Sequence, residues 1–157
     1  MDTVRERIIK EFMDRAAVIR FVESPWGGWN TDIGSNVYRA RLLRGPSDCP
    51  CIVVWPEPEE AKYTNGMMHH TMPVRIEGLS LIQPDAASTV AEKVLGDLIQ
   101  CFTDPEWVSG QSLFESAVYK NGGTDNYPEE GQLFVGAYAR FDVTYWTVKG
   151  NPYVNKR

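Results

Sequence analysis

QLFVGAYARFDVTYWTV, residues 132–148, decides the fold. Its residues alternate strictly in the second half. Phe141, Val143, Tyr145 and Thr147 fall on one face of an extended chain, and Arg140, Asp142, Thr144 and Trp146 on the other. A helix would scatter both sets around its surface. The segment is therefore a long strand with one buried and one polar face. The preceding NGGTDNYPEEG, residues 121–131, is rich in turn formers and reads as a turn or long hairpin tip. Leu113 to Tyr119, before it, reads as the returning strand. The C-terminal third is thus a long β-hairpin, and the last residues, 149–157, read as a tail.

Working back towards the N-terminus, Val90, Ala91, Val94, Leu95, Leu98, Ile99 and Phe102 form one apolar stripe at helical spacing. Asp85 or Ser88 can cap this helix, and Asp104-Pro105 ends it. Gly96 in its middle costs roughly 1 kcal/mol against alanine, which suggests a close approach by another element. Residues 67–79 alternate, with Met68, His70, Met72, Val74 and Ile76 on one face and Thr71, Arg75 and Glu77 on the other. Pro73 inside the run favours an edge position or an irregular start. Residues 56–66, PEPEEAKYTNG, read as an exposed loop, with Glu57, Glu59 and Glu60 as a solvated acidic cluster.

Cys51 to Trp55 is a short apolar run between prolines 50 and 56, as a strand buried on both faces would be. Residues 36–43 suit a further strand, and Arg39, Arg41 and Arg44, the densest basic group, would fall on or near one solvated strand face. Residues 3–19 carry Val4, Ile8, Ile9, Phe12, Met13, Ala16 and Ala17 at helical spacing, with Asp2 or Thr3 as the cap. The expected fold is α+β: an antiparallel or mixed sheet with two helices packed on one face and a long C-terminal hairpin, in a single domain over residues 1–157.

With 157 residues, 43% hydrophobic and 24% charged, the chain can bury one ordinary core. The net charge of −5 shows no basic excess, so general nucleic-acid binding is not expected. Its three cysteines, Cys49, Cys51 and Cys101, give no disulfide framework and are expected to be reduced thiols of an intracellularly made protein. No apolar run approaches the ~18 residues of a membrane helix.

The chain offers little for chemistry. His69 and His70 are the only histidines, and as strand neighbours they point to opposite faces, so they do not readily share a metal. No ligand pair has zinc-site spacing. Gly27-Gly28 and Gly122-Gly123 match no phosphate or dinucleotide loop, and Gly110-Gln111-Ser112 lacks the second glycine of a nucleophile elbow. Cys101 sits in an amphipathic helix and reads as a packed thiol. Trp26, Trp29, Trp55, Tyr119, Tyr138 and Trp146 suit core and interface packing better than base stacking, which also needs a positive groove. Neither a catalytic residue, a cofactor nor a metal site is expected.

The element order and several segments resemble the tail-terminator (minor tail protein U-like) family of tailed bacteriophages. The matching stretches are the helix RERIIKEFMDRA (5–16), the proline-led strand DCPCIVVWPE (48–57), and the polar PEEAKYTNG (58–66). They continue with the strand MPVRIEGLSLI (72–82), the helix VAEKVLGDLIQCF (90–102) and the hairpin of 116–147. The resemblance implies a homo-oligomeric ring of six copies, seated on the last ring of the tail tube in the virion tail after assembly in the host cytoplasm. Its implied partners are the major tail tube protein and the head–tail connector. It implies no membrane association and no nucleic-acid specificity. The segments placed as interface arms are 57–70 and 120–131, with Glu59, Lys62, Tyr63, Met67, Met68, Tyr119, Asp125 and Tyr127 as candidate contacts. Other head–tail connector or neck proteins have similar size and composition. A small-molecule-binding domain would instead show a pocket near the Trp26–Trp29 loop with His69 or His70.

Overall fold

A computed structural model describes residues 1–24, 27–42, 46–82, 86–125 and 133–155. Helix α1 spans Val4–Ala16, and Thr3 caps it by accepting the Glu6 N–H at 3.1 Å. Strands β1 (Val37–Arg39), β2 (Cys51–Pro56), β3 (Glu60–Thr64) and β4 (Met67–Leu81) follow. Helix α2 covers Ala87–Thr103, and the short α3 covers Pro105–Ser109. Strands β5 (Ser116–Asp125), β6 (Phe134–Val148) and β7 (Asn151–Asn155) complete the chain.

The seven strands make one mixed sheet in the order β1-β2-β4-β6-β5, with β3 beside β4 and β7 beside β6. Only β1 and β2 run parallel. The expected α+β fold is present, and both long helices lie on one face. Val4, Ile8 and Phe12 of α1 and Val94, Leu98 and Phe102 of α2 share a core with Ile52, Val54, Met72, Val74, Ile76, Phe141 and Val143. Phe12 and Phe102 stack at 5.2 Å, and Trp107 of α3 closes on both edge-on.

Several elements differ from expectation. The exposed loop of 56–66 is mostly strand: β3 pairs with β4 from Glu60↔Thr71 to Thr64↔Met67. Asn65 and Gly66 make the two-residue turn, with φ 47° and 77°; both central positions of a type I′ turn need positive φ, and Asn-Gly supplies it. The tail forms β7, turned back on β6 through Gly150 at φ 74°. The first strand holds only Val37–Arg39 of the expected 36–43. Strand β5 runs on to Asp125, into the stretch read as hairpin tip.

Pro73 does not mark an edge, since β4 is the centre of the sheet. Along one side of β4, β2 and β3 behave as one strand interrupted by a bulge at 57–59. The missing Pro73 N–H falls at that bulge, while its carbonyl accepts the Glu57 N–H at 2.9 Å. Gly96 has nothing within 4 Å of an added Cβ. The close approach occurs at Gly78 instead, where a Cβ would stand 2.7 Å from Val94 and 2.9 Å from Ile33. Ala86, not a polar side chain, precedes α2, and Ser88 lies inside the helix; Asp85 lies outside the described residues.

Candidate functional site

The side of the sheet opposite the helices is the candidate interaction surface. It takes the alternate residues of each strand. Register sets Trp55, Arg75, Arg140 and Asn121 in one row, and Lys62, His69 and Trp146 in another. Arg75 and Arg140 stand directly opposite each other, an arrangement that costs energy unless each charge has other company. Arg75 lies over the Tyr138 ring at 4.8 Å, and Arg140 is paired with Glu57. Lower on the face, Glu115 reaches His69 at 3.2 Å and accepts the Trp146 indole N–H at 3.2 Å. His69 also packs on Trp146 at 4.3 Å. Trp, Tyr and Arg are the types that dominate protein–protein contacts. One end of this face is covered by the chain itself, where Cys49 and Cys51 pack with Leu79, Tyr38, Leu81 and Phe134.

The two histidines point to opposite faces, as strand alternation requires. His70, on the helix side, is buried and bonded at both ring nitrogens, to Glu59 at 3.0 Å and to Thr147 at 2.8 Å. Tyr145 stacks on it at 4.4 Å and donates to the same Glu59 oxygen at 2.7 Å. Burial, and then the Glu59 carboxylate, push the Tyr145 hydroxyl up, so it remains a donor. Arg5 from α1 approaches Glu59 at 3.5 Å. The order Thr–His–Glu resembles a charge-relay triad, but Thr147 is only 2% exposed and presents no hydroxyl to a substrate. The group is a polar latch that ties β3 to the sheet and to α1.

The candidate contacts therefore divide. Glu59 is turned inward, so the acidic cluster is no cluster: Glu57 pairs with Arg140, and Glu60 alone is exposed. Lys62 and Tyr63 are exposed on β3, with Lys149 at 5.2 Å from the Tyr63 ring. Met67 and Met68 are partly buried at the start of β4. Tyr119 packs inward against Phe141 at 5.9 Å. Asp125 is the last residue of β5, and Tyr127 lies outside the described residues. Arg39 is held by Glu6 in a two-pronged pair and Arg41 reaches Asp48 at 3.5 Å, so these two, the described members of the group, are each paired with a carboxylate; Arg44 lies outside the described residues.

Sequence reading missed Asp97, a fully buried carboxylate on α2. It accepts from the Asn30 and Thr31 backbone N–H groups and from both of their side chains. This pins the 29–32 loop to the helix. The only signal was a carboxylate among the apolar residues of the stripe. The same loop borders a cleft of about 570 Å³, with Phe21, Pro50, Leu81 and Val90 as apolar wall and Thr31 and Ser80 as polar groups. His69 lies on the same strand as Ser80 but roughly 35 Å away at the usual strand rise. The loop and the histidines do not meet in one pocket, and Trp26 lies outside the described residues.

Among the described residues no group of three or more potential ligands is placed to hold a metal, and no helix is long and apolar enough to cross a membrane. All three cysteines are free and buried. Burial pushes the Cys101 thiol up to about 12. Known protein families and curated proteins provide no match to the chain.

Proposed function

We propose that this protein is a phage tail assembly protein that works by docking and not by catalysis. Six copies form a ring on the end of the tail tube, end its polymerisation and offer the head-attachment surface. One observation carries the reading: one sheet face is packed by helices, while the other holds Trp55, Arg75, Tyr138, Arg140 and Trp146 with no helix over it among the described residues. The charges on that face are mixed, with Glu57, Glu77, Glu115 and Asp142 beside Lys62, Arg75, Lys120 and Arg140. Such a surface has no net pull on a polyanion, but it can read the charge pattern of a protein. The resemblance in element order supports the more specific role.

A ring needs two different surfaces on each protomer, because its contacts are heterologous. Terminator and connector differ in what the ring sits on. Purified protein is mixed with tail tubes and, separately, with filled heads of the phage that encodes it, and pelleted complexes are weighed. Binding to tubes, together with a hexamer in sedimentation, is the expected result. Binding to heads alone would move the protein to the neck. Binding to neither, with no ring at any concentration, would end the proposal. The cleft beside Phe21 favours a small-molecule-binding domain as second reading; a ligand screen read by chemical shifts at Val90 and Ser80 tests it.

A further inference from the structure

The β3 strand carries an interaction that the ring reading does not require. It is the outermost strand beside β4, and all five of its residues are exposed. The two-residue turn at Asn65-Gly66 fixes its hydrogen-bond phase. Thr64 and Met67 form the bonded pair that closes the turn, so Lys62 and Glu60 also bond inward to β4. The N–H and C=O groups of Ala61 and Tyr63 therefore point to the free edge.

Other edges of the sheet are guarded. Strand β7 contains Pro152, and its Tyr153 carbonyl is taken by Arg7 at 2.8 Å. Strand β5 is broken by a bulge between Tyr119 and Asn121. Strand β1 has only three residues. Strand β3 lacks proline, a bulge and a covering element among the described residues. Bare edges are what soluble proteins usually avoid.

We infer that β3 pairs with β3 of a second copy, antiparallel across a twofold axis, with Ala61 opposite Ala61 of the other copy. The sequence selects this partner and this register. With Ala61 at the axis, two backbone bonds join the alanines, and Glu60 of each copy stands opposite Lys62 of the other. Flanking positions of that kind are non-bonded pairs, about 4.5 Å apart at Cα, where side chains are closest. Two opposite-charge pairs form on the helix-free side. Centring on Lys62 would oppose lysine to lysine, and centring on Tyr63 would oppose Lys62 to Thr64. Only the Ala61 register is complementary. The contact is isologous and closes at two copies. It also covers Tyr63, which is 66% exposed in the single chain.

The test is sedimentation equilibrium over a wide concentration range on the wild type, K62E and the exchange variant E60K/K62E. Both positions are exposed, so the fold tolerates the changes, and circular dichroism checks it. The wild type is expected to show a twofold association step, between single chains or between rings. K62E opposes carboxylates twice and weakens the dimer by about tenfold or more. E60K/K62E restores it. A wild type that never dimerises, an unaffected K62E, or an exchange variant as weak as the single one would overturn the inference. A hexamer indifferent to all three variants would leave the ring standing and remove the β3 contact. A dimer that obeys the series without any hexamer would do the reverse.

Discussion

Asp97 shows how much one side chain can fix. A carboxylate with 0% exposure is tolerable only when its lone pairs are filled, and here two backbone N–H groups, an amide and a hydroxyl fill them. In return the carboxylate is what satisfies the Thr31 N–H at 2.8 Å and its hydroxyl at 2.8 Å. Removing it strands donors that water reaches poorly. D97A is expected to lower unfolding free energy by about 3 kcal/mol, the range for breaking a buried charged network. Urea denaturation measures this as a lower midpoint at unchanged slope. The same variant loosens residues 29–32, and their amides should exchange faster than those of β6. An unchanged midpoint would mean that the loop holds itself. The Glu59–His70–Thr147 latch follows the same logic on β3, with every polar atom of the histidine ring engaged. Neither partnership is readable from sequence, because both join residues far apart in the chain, and polarity alone does not say which distant group will answer it.

At the scale of elements, glycine separates two kinds of helix–sheet contact. Gly78 sits on β4 where α2 and Ile33 press closest, with 2.7 Å to Val94 from the position of an added Cβ. Gly96 sits on the solvent side of α2 with open space around it. G78A is therefore expected to cost about 1–3 kcal/mol through overpacking. G96A is expected to gain up to about 1 kcal/mol, because it only removes unfolded-state freedom and improves helix propensity. Thermal unfolding of the two variants should move in opposite directions. If both fell, α2 would be packed on its outer side as well. The contrast also marks what sequence could tell. Strand β6 and helix α2 were legible because burial on one side imposes a period that few other structures share. Strand β2 was legible as an unbroken apolar run, buried from Cys51 to Val54. Strand β3 was not, since all five residues are exposed and no core imposes alternation on them. Its one signal was Asn65-Gly66, the strongest short hairpin signature, set in a stretch too charged to look like strand. Strand β7 likewise has exposed residues and a proline. Pro73 misled for a related reason: a proline is excluded from a central strand only if its neighbour needs the missing N–H, and the bulge at 57–59 removes that need.

In the whole molecule, α1 rests on the sheet by two means that respond differently to pH. Its apolar face, with Val4, Ile8 and Phe12 wholly buried, is indifferent to protons. Its rim is ionic: Glu6 grips Arg39 at 2.7 Å and 2.8 Å, Arg15 meets Asp104 at 3.1 Å, and Arg5 approaches Glu59. The Arg39 guanidinium holds the Glu6 carboxyl below its ordinary 4.5. A carboxyl with a lowered folded pKa binds its proton more readily in the unfolded chain. Its contribution is therefore complete above about pH 4.5, the unfolded value, and is lost as pH falls through the lower folded value. The pair is partly open to solvent, with Glu6 28% and Arg39 38% exposed, so its worth stays within about 1 kcal/mol at neutral pH. E6Q is expected to be less stable than wild type by up to that amount at pH 7. The gap should close as pH falls below about 4.5 and through the lower folded value, because wild type then gains a protonated glutamate that no longer pairs. Urea midpoints of the two proteins from pH 7 to pH 3 measure it. Converging curves would assign the acid limb in part to this staple. Parallel curves would show that Glu6 acts through packing alone, and that acid loosens α1 elsewhere. The distinction bears on assembly, since α1 lies on the face away from the proposed docking surface. A protein whose helix layer loosens in acid while the sheet persists would keep its docking face, and E6Q should then leave tube binding at neutral pH unchanged.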